Sequence, residues 1–332
     1  MFPTKTGRGA IMSNNISKHV WLVGAGSMAL EYSKVLDALN INKTVIGRGE
    51  TSAQTFTDKT GWGVITGGID AFLASKPEKP DTVIVAVNVI DLAKTTTSIL
   101  GYCQPKILLE KPGAITTAEV SSLKSCPGSE NIYIAYNRRF YASTQAVRKM
   151  LIEDGGATSC TFEFTEWGHR IDEIKDQKNP TELAHWLIAN SSHPIDLAFN
   201  LSGYPKEMTS TVKGALPWHP SGSAFVGSGL TEKDATFSYH ANWAAPGRWW
   251  VEVMSSTRRF RMCPLETVQV QLKGSVAWDN VDIDLSQEKE FKPGLYRMVE
   301  TFLEDTPSPE LCTFKQLYQH FSILQKIAGY QD

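Results

Sequence analysis

The stretch HVWLVGAGSMA, His19–Ala29, joins a short apolar run to the pattern Gly-x-Gly-x-x-Ala. The apolar run predicts a buried strand, and the residues that follow Ser27 have apolar side chains at helical spacing, so the glycines lie where a strand turns into a helix. Gly24 permits the tight turn, Gly26 lets a pyrophosphate approach the backbone, and Ala29 keeps the helix close to the sheet. We therefore predict a dinucleotide-binding turn; the alternative is a strand-to-helix turn without a ligand.

Strand-like and helix-like stretches alternate around this turn. Buried strands are predicted in the segments HVWLV, KTVIGR, WGVI, DTVIVAVN, KILLEKP and NIYIAYNRRF, with helix-like sequence between most of them. Parallel strands need crossover connections, so this alternation is typical of βαβ units in a parallel sheet. The pattern predicts a nucleotide-binding α/β half at the beginning of the chain.

The pattern changes after about residue 155. The segment ATSCTFEFTEW alternates like a half-exposed antiparallel strand, and NPTELAHWLIANSSHPIDLAFNLSG reads as one long helix that ends at a glycine. Residues 206–278 are mostly strand-like, and two helices close the chain. We predict a flexible extension over 1–17, a dinucleotide-binding domain over 18–140, and a second α+β domain over 141–332, with the last helices as candidates for packing back on the first domain.

Composition excludes several classes of protein. The 332 residues are 42% hydrophobic and 20% charged, which suits two packed domains, and the net charge of −2 provides no basic field for nucleic acid or a membrane surface. The five cysteines are odd in number and form no CxxC pair, so we expect no disulfide framework, no metal site and a cytoplasmic location. No long apolar run predicts a membrane span, and the first residues lack the apolar core of a secretory signal.

The end of the second predicted strand bears on the choice of nicotinamide cofactor. An acidic residue there would hold the ribose of NAD, but the sequence VIGRGETS has Arg48 at that place. A guanidinium can pair with the 2′-phosphate of NADP, and the hydroxyls of Thr51 and Ser52 can add contacts. We therefore favour NADP(H) over NAD(H); in the alternative, Arg48 faces solvent and Glu50 takes the ribose.

Two further motifs follow the fifth and sixth predicted strands: LLEKPGA at Leu108–Ala114 and YNRRF at Tyr136–Phe140. Together with the glycine turn, they resemble the glucose-fructose oxidoreductase / inositol dehydrogenase (Gfo/Idh/MocA) family over nearly the whole chain. The resemblance implies a Rossmann domain followed by an α+β domain with an open, mostly antiparallel mixed sheet that forms a homodimer or homotetramer contact. It also implies hydride transfer between NAD(P) and a hydroxyl or carbonyl carbon of a sugar, nucleotide sugar or polyol.

The resemblance implies roles for individual residues. Lys111 matches the lysine that lies near nicotinamide and substrate, where an ammonium stabilises negative charge on the reacting oxygen and exchanges protons. Pro112 would hold the turn, in cis form as one option, and Glu110 is expected to be structural rather than catalytic. The predicted cofactor contacts, from the glycine turn, the fourth strand and these motifs, are Gly24, Gly26, Ser27, Met28, Arg48, Asn88, Glu110 and Lys111.

The histidine of the family's DxxxH signature matches His193, but Ala189 stands where the family has aspartate. We predict His193 as a second acid/base; Asp196 is a candidate for orienting its ring, and the alternative is a locally satisfied helix histidine. The form NSSHxID resembles a branch found with bacterial surface-polysaccharide and sugar-modifying enzymes. The predicted substrate contacts are Lys111, Tyr136, Arg138, Asn190, His193 and Trp167.

Other residues are weaker candidates. Asn88 either touches the nicotinamide ribose or caps the next helix, and Arg139 is equally well interpreted as a surface charge. An ordinary strand terminus is slightly favoured over a sugar contact for TEWGHR, which contains Glu166, Trp167 and His169. We expect His185 and Trp186 in the same pocket. We interpret the run NWAAPGRWW as sheet packing or a subunit interface.

Three functions remain open at this point. An oxidoreductase is the leading hypothesis, with Lys111 and His193 as its catalytic residues. A glycosidase or lyase that uses retained NAD for a transient oxidation is the second, and Arg48 speaks mildly against it. A non-enzymatic, cofactor-sensing regulator is the third, and the presence of both Lys111 and His193 argues against it.

Overall fold

The computed structural model describes residues 19–331, and its first sheet confirms the predicted α/β half. Six parallel strands lie in the spatial order 3-2-1-4-5-6, and the valines, isoleucines and leucines of the central strands are buried as expected for a sheet covered on both faces. The strands are β1 (His19–Val23), β2 (Asn42–Ile46), β3 (Val64–Ile65), β4 (Thr82–Val85), β5 (Lys106–Leu109) and β6 (Ile132–Ile134).

Five helices connect these strands. The side chain of Thr116 accepts a hydrogen bond from the backbone of Glu119, whose carboxylate bonds back, so a capping box begins the last of the five. The helices are α1 (Ser27–Ala38), α2 (Glu50–Thr60), α3 (Gly68–Ala74), α4 (Leu92–Tyr102) and α5 (Thr117–Ser125). Gly24 and Lys111 therefore lie at the carboxyl edge of the sheet, where ligands bind in such folds.

The second sheet has eight strands and is mixed: β7 and β10 are parallel and every other neighbouring pair is antiparallel. This confirms the predicted fold class. The strands are β7 (Ser159–Phe164), β8 (Pro205–Lys213), β9 (Ala224–Thr231), β10 (Thr236–Asn242), β11 (Trp249–Met254), β12 (Arg258–Met262), β13 (Gln269–Leu272) and β14 (Asp279–Asn280).

Four α-helices lie between β6 and β8 in sequence, and one of them packs on this sheet. The one that packs against its strands β7 and β11 is α9 (Ser192–Ser202), which follows α6 (Ala142–Glu153), α7 (Gly168–Ile174) and α8 (Pro180–Ala184) along the chain. The long helix predicted over this region is interrupted, because Leu187–Ser191 forms a π-helical turn between α8 and α9. Gly203 ends α9 as predicted, with a φ of 98°.

The chain then returns to the first sheet. After α10 (Ser286–Glu290), α11 (Leu295–Leu303) packs against α1, and β15 (Cys312–Thr313) pairs antiparallel with β6. The final helix α12 (Phe314–Ala328) contacts β6 and also β8, so it touches both sheets. The domain limits at 140 and 141 stay predictions, and the extension predicted over 1–17 lies outside the described residues.

Two further properties concern the described residues as a whole. All five cysteines are free thiols. Between residues 19 and 331, no helix combines the length and apolar character needed to cross a bilayer.

Candidate active site

A cleft of about 430 Å³ opens at the carboxyl edge of the first sheet; we call it the glycine cleft. It lies between the ends of β1 and β4, where the strand order reverses, which is the ligand position in sheets of this topology. The loops after β1, β2 and β4 supply Gly24, Gly26, Arg48, Ser52, Asn88 and Asp91 to its lining. Asn88 precedes a short 3-10 helix, and its side chain makes no capping hydrogen bond, which leaves the amide available to a ligand.

The two glycines of the turn differ in whether the protein itself excludes a side chain at that position. A Cβ on Gly24 would lie 2.3 Å from the carbonyl oxygen of Ala86, and its φ of +127° disfavours other residues, so Gly24 serves the fold. A Cβ on Gly26 would meet no atom within 4 Å, so no contact within the protein excludes one there. Gly26 is the N-cap of α1, and the open space lies beside the free N–H groups of that helix.

Arg48 lies at the predicted place but already has a partner. Its guanidinium is largely exposed, and Nη1 lies 3.2 Å from a carboxylate oxygen of Asp91. Ser52 lines the same end of the cleft, with its hydroxyl donating to the carbonyl oxygen of Gly49. A phosphate group here would meet one arginine, one hydroxyl and the N-terminus of α2, with Asp91 as a competing negative charge.

Lys111 connects the first sheet to the second half of the chain. It follows β5, its peptide bond to Pro112 is cis, and its Nζ donates a 2.8 Å hydrogen bond to the carbonyl oxygen of Ala189. Removal from water lowers the pKa of Lys111 to about 8; nearby Arg138 adds to the lowering, and Glu110 opposes it. A lysine with such a pKa exchanges protons near neutral pH.

Glu110 is held from the other side. The hydroxyl of buried Tyr32 donates a 2.6 Å hydrogen bond to its Oε1, and burial raises the pKa of this carboxyl above its usual value. The carboxyl group thus fixes the turn against α1, which agrees with a structural role for Glu110.

The π-helical turn explains why the carbonyl of Ala189 is free for Lys111. Residue 194 would donate to the carbonyl of residue 189 in π pairing, but Pro194 has no N–H. Lys111 supplies a donor in its place. The proline in SHPID is a sequence signal for this interruption, and our single-helix prediction passed over it.

His193 lies one turn further along, at the beginning of α9. Burial lowers the pKa of His193 well below its usual value, and the positive charges of Arg138 and Lys111 lower it further, so the ring is neutral near pH 7. Its Nδ1 is buried and has no hydrogen-bond partner among the described residues. The ring packs edge-on against Tyr136, with centroids 5.9 Å apart.

A second cavity of about 460 Å³ lies beside these residues; we call it the tryptophan pocket. Of the predicted substrate residues, Arg138, Asn190 and Trp167 line it. Lys111 binds the carbonyl of Ala189, the residue before Asn190, and the ring of His193 contacts Trp249. Tyr136 is buried against His193. The remaining lining residues include Glu166, Arg170, Trp186, Arg248, Trp249 and Glu266.

Glu166 lies just after the end of β7 and lines the tryptophan pocket. It is buried, it accepts hydrogen bonds from the amide of Asn190 and the hydroxyl of Ser191, and burial raises the pKa of its carboxyl. It also opposes the lowering of the Lys111 pKa, so its charge acts on that lysine. A carboxylate thus lies near Lys111 although residue 189 is alanine.

Two interpretations of charged residues are wrong. Arg139 is not a surface charge: it is fully buried and forms two hydrogen bonds, of 2.8 and 2.6 Å, with the carboxylate of Asp196. Asp196 therefore holds Arg139 rather than orienting the ring of His193. The contact joins the 3-10 helix Asn137–Phe140 to α9, and its partners are 57 residues apart in sequence.

The aromatic candidates separate into two groups. Trp186 and Trp249 line the tryptophan pocket, and Trp167 lies at its mouth with its indole N–H donating to Gly247. The ring of His185 lies instead against Tyr330. For the NWAAPGRWW run we predicted sheet packing or a subunit interface. Trp249 and Trp250 belong to β11, and Arg248 and Trp249 also line the pocket, while the interface stays a prediction.

One residue of the site escaped the sequence analysis altogether. Lys292 precedes α11, and its Nζ lies 3.0 Å from the sulfur of Met28 in the glycine turn, 264 residues away. Its charge acts on Glu110, Lys111 and His193. No motif marks this lysine, because only the folded chain brings it to the glycine turn.

Between residues 19 and 331, no group of three or more His, Cys, Asp or Glu side chains is placed to hold a metal ion.

No family model matches the chain, and no curated protein sequence matches it. Solved structures do resemble it. UDP-N-acetylglucosamine 3-dehydrogenase from Acidithiobacillus ferrooxidans superposes with a TM-score of 0.72 at 14% identity, over 93% of this chain and 96% of the other. A levoglucosan dehydrogenase solved with NADH and levoglucosan gives 0.73 at 17% identity, over 93% and 95%.

An oxidoreductase from Agrobacterium radiobacter, solved with NAD⁺, L-tartaric acid and magnesium, also gives a TM-score of 0.73, at 13% identity over 93% and 94% of the two chains. Identities this low establish the fold alone. The chain has the two-domain fold of NAD-binding oxidoreductases.

Proposed function

We propose that the protein is a nicotinamide-dependent oxidoreductase of the Gfo/Idh/MocA type, which interconverts a hydroxyl and a carbonyl group on a sugar, nucleotide sugar or related polyol. The observation that carries the proposal is Lys111: a lysine with a lowered pKa at the carboxyl end of β5, bound to the carbonyl of Ala189, whose neighbour Asn190 lines the tryptophan pocket. The similar structures named above include two sugar dehydrogenases, which supports a sugar-like substrate.

The glycine cleft fits a dinucleotide. The empty space at Gly26 would take a pyrophosphate at the N-terminus of α1, Asn88 would meet the ribose, and Lys292 would add a positive charge above the turn. When bound, the nicotinamide would supply the hydride acceptor or donor. In this proposal Lys111 holds the reacting oxygen and exchanges its proton, with His193 and Glu166 as neighbours that hold substrate hydroxyls.

A screen of sugars, nucleotide sugars and polyols with NAD(P)⁺, and of their keto forms with NAD(P)H, tests the proposal through the absorbance of the reduced cofactor. Turnover of at least one compound is expected. Bond cleavage without net change in the cofactor would point instead to a hydrolase or lyase, and cofactor binding without turnover of any compound would point to a regulator.

We expect the reaction to depend on pH through Lys111. Oxidation needs the neutral amine to accept a proton, so kcat/KM for oxidation should rise with pH and level off above about 8; reduction needs the ammonium and should fall over the same range. Initial rates in both directions at constant ionic strength measure this. The step should vanish in Lys111→Arg, whose guanidinium keeps its proton; a step that persists belongs to another group.

We also propose NADP(H) as the preferred cofactor, on the strength of Arg48, Ser52 and the N-terminus of α2. Arg48→Gln should weaken NADPH binding by about tenfold or more and NADH binding by less than about threefold, measured by cofactor fluorescence. Glu50→Gln is the matched control: it should weaken NADH binding only if Glu50 holds the ribose. Tighter binding of NADH than NADPH by the unaltered protein would refute the preference.

A cytoplasmic location and a homodimer or homotetramer built through the outer face of the second sheet remain parts of the proposal. The resemblance to the family supports the oligomer, and sedimentation of the purified protein tests it.

A further inference from the structure

Arg138 is largely shielded from water and forms no salt bridge within residues 19–331. Its guanidinium lies over the ring of Trp249, 4.9 Å from the centroid, and 5.8 Å from that of Tyr141. Its Nε is buried and has no hydrogen-bond partner in the described part of the chain. Nη1 and Nη2 form no hydrogen bond or salt bridge in that part of the chain either, and the side chain lines the tryptophan pocket. The free edge of Arg138 that a ligand in the cavity can reach is therefore the one formed by its two Nη atoms.

Other shielded arginines are paired. Arg139, the next residue, is held by both oxygens of Asp196, and Arg258 by both oxygens of Asp154. An arginine removed from water without a partner loses hydration that nothing replaces, and proteins rarely retain such a group without a use for it. Stacking on Trp249 recovers only part of that loss. The unpaired edge of Arg138 is therefore a place for an anion that the chain does not supply.

The carboxylates of the pocket do not fill this place. Glu166 is engaged by Asn190 and Ser191, and Glu266 lines the wall without forming a salt bridge to Arg138 among the described residues. Two more arginines, Arg170 and Arg248, are exposed at the pocket and add positive charge that attracts anions.

We propose that the tryptophan pocket takes a sugar with one negatively charged group, a carboxylate or a phosphate, which pairs with the free edge of Arg138. The inference deepens the proposed function and rests on it for the identity of the site. The planar fork of a guanidinium matches both groups bidentately, and the neighbouring ring of Trp249 offers an apolar face for the sugar. A cavity of about 460 Å³ has room for a substituted monosaccharide.

Three hexoses that differ only at C6 provide the test: D-glucose, D-glucuronate and D-glucose 6-phosphate, together with the corresponding galactose compounds. Calorimetric titration into the NADPH-saturated protein measures binding without turnover, so the outcome does not depend on whether hydride transfer is detected. We expect at least one anionic member to bind about tenfold or more tightly than its neutral counterpart. The better binder of the two tells a carboxylate site from a phosphate site.

Variants locate the effect. Arg138→Gln should weaken binding of the preferred anion by about 30-fold to 100-fold and leave the neutral hexose and NADPH within about threefold, whereas Arg138→Lys should fall between the two. Arg259→Gln is the matched control and should lose less than about threefold, because Arg259 lies outside the tryptophan pocket and is paired with Glu252 on β11. Equal binding of neutral and anionic hexoses, no binding of either anion, or an unchanged affinity in Arg138→Gln overturns the inference. If NADPH binding is normal in those variants, such a result contradicts the anion site and leaves the proposed oxidoreductase function standing.

Discussion

Lys111→Ala should reduce kcat by about 10³-fold or abolish turnover, and leave cofactor affinity within about tenfold, or 1.4 kcal/mol. The ammonium of Lys111 lies just beyond the end of β5 and binds the carbonyl of Ala189, next to Asn190 of the tryptophan pocket, and its pKa of about 8 lets it both hold charge and pass on a proton. Alanine removes both capacities. The cofactor contacts of the glycine turn are untouched, so binding of NADPH should largely survive.

Lys106→Ala is the matched control, since Lys106 begins the same strand at the opposite edge of the sheet and its Nζ donates to the carbonyls of Phe302 and Glu304. Its turnover should stay within about twofold of the unaltered protein. Lys111→Arg separates charge from proton transfer, because arginine keeps the charge and cannot lose the proton. Normal turnover in Lys111→Ala would show that the lysine is not catalytic.

Features that depend on neighbouring residues were predictable from the sequence. The strand-to-helix turn at Gly24–Ala29, the alternation of strands and helices, and the turn after β5 each have a local physical cause: buried apolar runs, glycine geometry and helix periodicity. The carboxyl edge of a parallel sheet then brings Gly24, Asn88 and Lys111 to the same edge, whatever the remaining sequence.

Features that depend on distant partners were not predictable. The sequence around Arg139 is compatible with a surface charge, and only the folded chain shows that α9 places Asp196 against it. No motif indicates Lys292, because its spatial neighbour Met28 lies near the other end of the chain. The turn at Leu187–Ser191 was predictable only in part. Pro194 indicates that the helix is interrupted, but nothing near it in the sequence indicates that Lys111 binds the carbonyl of Ala189. Periodicity describes which face of an element is buried, not which charge it meets there.

Arg139→Ala should lower the free energy of unfolding by about 3–5 kcal/mol, because it leaves the carboxylate of Asp196 buried without its partner. Arg139 also donates to the hydroxyl of Tyr204 and to the carbonyl of Glu310, so three separate segments lose a common donor. Chemical denaturation measures the loss. Arg170→Ala, which breaks the exposed pair with Glu173, should cost less than about 1 kcal/mol and serves as the control.

A double replacement tells charge from packing. If the cost arises from the orphaned carboxylate, Arg139→Met combined with Asp196→Leu should destabilise the protein by clearly less than the sum of the two single changes. Additive losses would show that the side chains act independently, through their volume.

The pair of Arg139 and Asp196 also affects the candidate active site, since Asp196 lies on α9 one turn after His193. Loss of Arg139 should therefore displace the histidine and reduce turnover even where the protein remains folded.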